Sequence, residues 1–128
     1  GEVIQPSAKV EADEDYFATA KKNRQKALDE AQEMAEETLK SANASDTERE
    51  NALKSINVMA SRIEKANNIE TLINAKGFEK SLVIIGESDV SVVVKSEGLT
   101  TTQTLQIQDI VTSYTEIALS NIKIVTIK

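Results

Sequence analysis

The stretch Ser81-Leu-Val-Ile-Ile-Gly-Glu-Ser-Asp-Val-Ser-Val-Val-Val-Lys95 constrains the chain more than any other. Leu82 to Ile85 run apolar without a break, Gly86 to Asp89 carry turn residues, and Val90, Val92, Val93 and Val94 return the chain. That pattern predicts a β-hairpin. A strand buried on one side alternates apolar and polar residues, and the first strand does not. Something must therefore cover the second face of the hairpin.

Helical periodicity flanks it. Apolar residues recur at three- and four-residue steps from Phe17 through Leu28, Met34 and Leu39 to Ala42. They predict one long helix from Asp13 to about Asn43. Ser45 followed by Glu48 reads as a capping box opening a second helix, with Leu53, Ile56, Ala60 and Ile63 on one stripe. That stripe should continue near positions 67 and 70, which hold Asn67 and Glu70, while Ile69, Leu72 and Ile73 are apolar instead. The phase slip predicts a bend or restart at Asn67-Asn68, then a short helix to Ala75 with Gly77 as its C-terminal cap. Thr100 and Gln103 form a second capping box. They begin a helix carrying Ile107, Ile110, Val111, Tyr114, Ile117 and Ala118. Residues 121–127 read as a closing strand.

The expected organisation is a flexible lead-in over residues 1–12, a long helix over 13–44, and a compact α-β-β-α-β unit over 45–128. The fold class is α+β, with a three-stranded sheet and two helices on one face. Period two divides the strands. Leu82, Ile84, Val90, Val92, Val94, Ile122 and Ile124 are expected to face the helices. Val83, Ile85, Ser91, Val93, Lys95, Lys123, Val125 and Ile127 are expected on an open face, covered by the long helix or by a partner.

Composition narrows the function. The chain has 128 residues, no Cys and no His, so thiolate metal sites, disulfides and the commonest general base are excluded. Its carboxylates sit mostly on helix faces, the Gly-Glu-Ser-Asp turn fits neither a P-loop nor an EF-hand, and four Gly leave no phosphate cradle. No catalytic residue, cofactor or metal is expected. A net charge of −6 argues against nucleic acid as a partner, and the GxxG loop of KH-type RNA-binding folds is lacking. Lys-Lys-Asn-Arg-Gln-Lys, residues 21–26, could meet phosphate or a lipid head group. Asp29, Glu30, Glu33, Glu36 and Glu37 follow at once, and this mixture suits protein contact better.

Three stretches carry a family resemblance: Asp15-Tyr-Phe-Ala-Thr-Ala-Lys-Lys-Asn-Arg-Gln-Lys-Ala-Leu-Asp-Glu-Ala-Gln-Glu33, the hairpin from Ala75-Lys-Gly-Phe-Glu79 to Leu99-Thr100, and Ile107-Gln-Asp-Ile-Val111 to Ile122-Lys128. Together the chain resembles the soluble region of the stage III sporulation protein AH family over residues 13–128. The resemblance implies a domain like the ring-building motif of type III secretion inner-ring lipoproteins. It implies an N-terminal membrane anchor upstream, in the mother-cell membrane of an endospore former, with this domain in the intermembrane space. The implied partners are the extracellular domain of stage II sporulation protein Q, other proteins of the stage III A operon, and further copies in a ring. The implied role is that of a subunit of the channel or feeding tube joining mother cell and forespore. Beginning on Gly1 rather than Met, the chain reads as an excised piece.

The residues themselves nominate the contacts. Tyr16, Phe17, Ala20 and Leu28 on the long helix, and Val83, Ile85, Val93, Lys95, Val125 and Ile127 on the open sheet face, are the candidate interface. The strands 121–127 and 90–95 are candidate edges for β-augmentation. The alternative is a helical adaptor that acts through the long helix, with the α/β unit as its anchor.

Overall fold

A computed structural model describes residues 12–128, with side chains from Tyr16 onward. The lead-in assigned to residues 1–12 lies, but for Ala12, outside them. The elements run α1 (Ala12–Lys40), α2 (Asp46–Ala75), β1 (Ser81–Ile85), β2 (Val90–Lys95), α3 (Thr101–Tyr114) and β3 (Ile122–Ile127), with one 3-10 turn before β3. The fold is α+β. A long N-terminal helix precedes an α-β-β-α-β unit with a three-stranded mixed sheet.

The local signals explain the ends of the helices. Both capping boxes are present. Ser45 Oγ accepts from Glu48 N–H while Glu48 Oε1 accepts from Ser45 N–H, and Thr100 and Gln103 repeat the exchange. Each satisfies two donors that a helix start leaves unpaired. Gly77 follows α2 at φ 109°, a left-handed conformation that favours glycine. α1 ends at Lys40, two residues before the periodicity does. Arg49 of α2 donates to the Ser41 carbonyl at 2.6 Å there and ties the turn to the next helix.

α2 corrects one expectation. It runs unbroken for 30 residues through Asn67-Asn68. The phase slip is real but marks a change of neighbour, not of backbone. Ala66, Ile69 and Ile73 turn to the sheet, while Asn67 and Glu70 turn to α1, where Arg24 meets both. The polar residues sit on the expected stripe because a cation lies opposite them.

The sheet order is β1-β2-β3. β1 and β2 are antiparallel, β2 and β3 parallel. The parallel pair is joined through α3, the kind of crossover that parallel neighbours need. β2 is therefore central, so its expected role as an edge is overturned, and β3 is the strand left at the margin.

The register corrects the faces of β1. Ile85 pairs with Val90, Val83 with Val92 and Leu82 with Val93. Four residues, Gly86 to Asp89, close the loop, with Gly86 N–H donating to the Asp89 carbonyl at 2.8 Å. An even loop places odd residues of β1 opposite even residues of β2. Grouping Leu82 and Ile84 with Val90, Val92 and Val94 would need an odd loop. A one-residue slip exchanges every side chain of a strand between faces. So Val83 and Ile85 lie on the face toward α2 and α3, not on the open one, and Leu82 and Ile84 lie opposite.

The main core is Ala66, Ile69, Ile73, Phe78, Val83, Val90, Val92, Val94, Ile107, Ile110, Val111 and Ile122, between the sheet and the pair α2 and α3. Ile85, Leu99, Tyr114, Ile117 and Ile124 close its margin. Ile117 and Ala118 follow the end of α3 instead of extending it.

Candidate interaction surface

The question raised by the hairpin has an answer: α1 covers its second face. Phe17 is buried against Leu82 and Val93, and Tyr16, Ala20, Val125 and Ile127 pack around them. The Tyr16 and Phe17 rings meet edge-on at 5.4 Å and 84°, a favoured aromatic geometry. Burial raises the Tyr16 hydroxyl above its usual pKa near 10. The neutral phenol is the form that fits the folded chain. Its contribution is complete below pH 10 and is lost as pH rises through the folded value. Between pH 9 and pH 11 the urea midpoint should therefore fall further for the unmodified chain than for Tyr16→Phe. Equal falls would show that Tyr16 is not the sensor.

α1 lies on one face of the sheet and α2 on the other, and the two meet beyond the margin of β1. At that seam sits a network centred on Glu70, which is 4% exposed. Arg24 Nη1 donates to Glu70 Oε2 at 2.8 Å and to the Val83 carbonyl at 2.7 Å. Arg24 Nη2 donates to Asn67 Oδ1 at 2.9 Å. Glu70 Oε2 accepts the Val83 N–H at 2.7 Å, and Lys21 Nζ stands 3.6 Å from Glu70 Oε1. Both outward peptide groups of Val83 are thus bonded to side chains. A strand margin normally offers such groups to a further strand, and here two helices occupy them.

Among the described residues, no side chain is seen to bond the outer margin of β3 in this way. Ile127 carbonyl accepts from Ser96 N–H at 2.9 Å, on the β2 side. With period two, the peptide groups of Ile122, Ile124 and Thr126 point away from β2. Among the described residues, β2 is the only strand paired with β3.

The nominated interface residues separate accordingly. Phe17, Leu28, Val83 and Val93 are buried inside the chain. Tyr16, Ala20, Ile85, Lys95, Val125 and Ile127 are half-buried. Lys95 Nζ lies 3.8 Å from Glu79 Oε1. Tyr16, Phe17, Ala20, Val93, Val125 and Ile127 come together as one cluster, while Val83 and Ile85 belong to the main core. Sequence reasoning did not single out Arg24 or Glu70 as structural partners. The signal available was the pair of polar residues at 67 and 70 on an otherwise apolar stripe. Among the described residues, no group of His, Cys, Asp or Glu is arranged to hold a metal ion, and no helix is long and apolar enough to cross a membrane.

Comparison with known proteins follows this geometry. The chain is similar to a chain of the SpoIIQ–SpoIIIAH pore-forming complex, with a TM-score of 0.72 and 19% identity, over 87% of this chain and 97% of that one. At that identity the likeness speaks to the fold. A looser similarity is to EscJ of the type III secretion system of enteropathogenic E. coli, with a TM-score of 0.46 and 26% identity, over 61% of this chain and 49% of that one. Among curated proteins no significant match was found. The model of the SpoIIIAH-like protein family matches residues 4–124, and with nearly its whole length matched, the chain belongs to that family.

Proposed function

We propose that this chain is a non-enzymatic assembly subunit of the channel joining mother cell and forespore during endospore formation. Its domain stands in the intermembrane space on the mother-cell side, held to the mother-cell membrane by an N-terminal segment, and docks the extracellular domain of stage II sporulation protein Q. Further copies and other stage III A proteins complete the ring. The observation that carries this is membership of the SpoIIIAH-like family over residues 4–124. A fold similar to a chain of the SpoIIQ–SpoIIIAH complex supports it.

The adaptor alternative asks α1 to work as a separate helix. Phe17 and Leu28 of α1 are buried in the fold, and Arg24 is bonded to α2 and β1. This supports the whole domain, not the helix, as the acting unit.

The test is calorimetric titration of this chain with the extracellular domain of its cognate Q protein. Saturable one-to-one binding is expected. An isolated α1 peptide that binds as tightly as the whole chain would favour the adaptor.

A further inference from the structure

We propose that a cleft between α2 and the end of α3 binds a small zwitterion, a short peptide with free termini. Its carboxylate sits on Arg62 and Lys65 and its ammonium at the C-terminal end of α3. This goes beyond the channel reading and does not depend on it. The cleft measures about 770 Å³, within the range of roughly 300–1,000 Å³ usual for small-molecule sites. It opens where β1 ends and β3 begins, and no residue of α1 lines it.

Three observations carry it. The first is an arginine without a partner. The chain has three arginines. Arg24 holds Glu70 and the Val83 carbonyl, and Arg49 holds the Ser41 carbonyl and Asp46. Arg62 is half-buried in the wall of the cleft, and among the described residues it has no hydrogen bond or ion pair. A guanidinium presents its N–H donors in a rigid fork that matches a carboxylate. Lys65, one turn further along α2, lines the same cleft and adds a second positive charge.

The second is the end of α3. The Thr112 and Ser113 hydroxyls donate to the Asp109 carbonyl, and the Thr115 hydroxyl donates to the Val111 carbonyl. Their protons are used within the helix, so what these hydroxyls offer the cleft is oxygen lone pairs. A helix C-terminus also carries a partial negative charge that favours cations. Glu116 follows at once, exposed and lining the cleft. This end is built to accept, as α2 is built to donate.

The third is the balance of charge, and it selects the ligand. Arg62 and Lys65 of α2 line the cleft together with Glu87 of the hairpin loop and Glu116. Among the described residues, none of the four is ion-paired. A phosphate or another multiply charged anion would meet two like charges there. A ligand with one charge of each sign meets an opposite charge at both ends. Between its termini, a small apolar side chain meets Ile85, Ile117 and the Tyr114 ring, which close the margin of the main core and line the cleft.

The probe is trialanine, titrated into the whole chain and followed by amide chemical shifts. Saturable shifts are expected at Arg62, Lys65, Gly86 and Thr115, with half-saturation at about 1 mM, as befits so small a ligand. Arg62→Gln should weaken trialanine at least tenfold, and so should replacing the peptide by its C-terminal amide, which lacks the carboxylate. Glu116→Gln should weaken trialanine at least threefold but leave N-acetyl-trialanine, which lacks the ammonium, unchanged. Neither Arg62 nor Glu116 belongs to the buried core, and shifts elsewhere that match the parent show that each variant is folded. No saturable shift at concentrations far above the expected midpoint overturns the proposal. So does a folded Arg62→Gln chain that binds trialanine as the parent does. Inorganic phosphate shifting the same amides as tightly as trialanine would also overturn it, in favour of a bare anion site.

Discussion

Arg24→Ala should lower the unfolding free energy by about 3–5 kcal/mol, because it leaves the Glu70 carboxylate buried without its main cation. For a chain of this size that is a fall in Tm of roughly 10–20 °C. The size follows from what Arg24 does at once. It neutralises Glu70, satisfies the Val83 carbonyl, and bonds Asn67. Lys21 stays near Glu70 but is 3.6 Å away, with a partly exposed side chain, so it compensates poorly. Arg24→Lys should cost less, about 1–2 kcal/mol, since an ammonium keeps the charge but lacks the planar fork that reaches several acceptors.

Replacing a buried ion pair with apolar residues is often neutral or stabilising. Here it should not be. In Arg24→Met/Glu70→Leu, Val83 would lose a partner for both its N–H and its carbonyl, and unpaired buried backbone groups cost about 1–3 kcal/mol each. Thermal and urea unfolding of the three variants check the ranking. A double variant as stable as the parent would show that the pair does not serve the strand margin.

Phe17→Ala should cost about 3 kcal/mol, within the range for removing a buried phenylalanine, but through local undocking more than global unfolding. Phe17 is 2% exposed, and its neighbours Leu82 and Val93 depend on it for cover. The main core lies on the other face of the sheet and contains none of α1. The first turns of α1 should therefore lift from the sheet while α2, α3 and the ladder hold. Such partial opening is expected where one element is held by a small satellite cluster. Hydrogen exchange reads this directly. Protection should fall over the α1 residues before Arg24 and persist at Val92, Ile107 and Val111. A uniform loss of protection would mean instead that α1 and the main core unfold together.

The network at Glu70 also explains where sequence reasoning stopped. Asn67 and Glu70 look like an interruption of a helix stripe, and a bend is the local way to explain them. The structure resolves them through Arg24, some 43 residues earlier, in a cluster that by itself reads as a solvated basic face. Pairing between distant polar groups leaves no periodicity, so no window of the sequence contains it. The faces of β1 show a different limit. An unbroken apolar run, Leu82 to Ile85, carries no period-two signal, and only the four-residue loop decides which half points to the core.

Local chemistry settled the rest from the sequence. Two capping boxes, a glycine after α2 and apolar stripes placed the two ends of α2, the start of α3 and the hairpin, because caps and periodicity act within a few residues of one another. The lack of His and Cys removed the commonest chemistry, and the spacing of short motifs pointed to the family. Tertiary structure alone decided which strand is central, that α1 folds back over Leu82 and Val93, and that the β1 margin of the sheet is closed by Arg24 and Glu70. These are choices among partners far apart in the chain, made by complementary burial and by the need to pair every buried polar group.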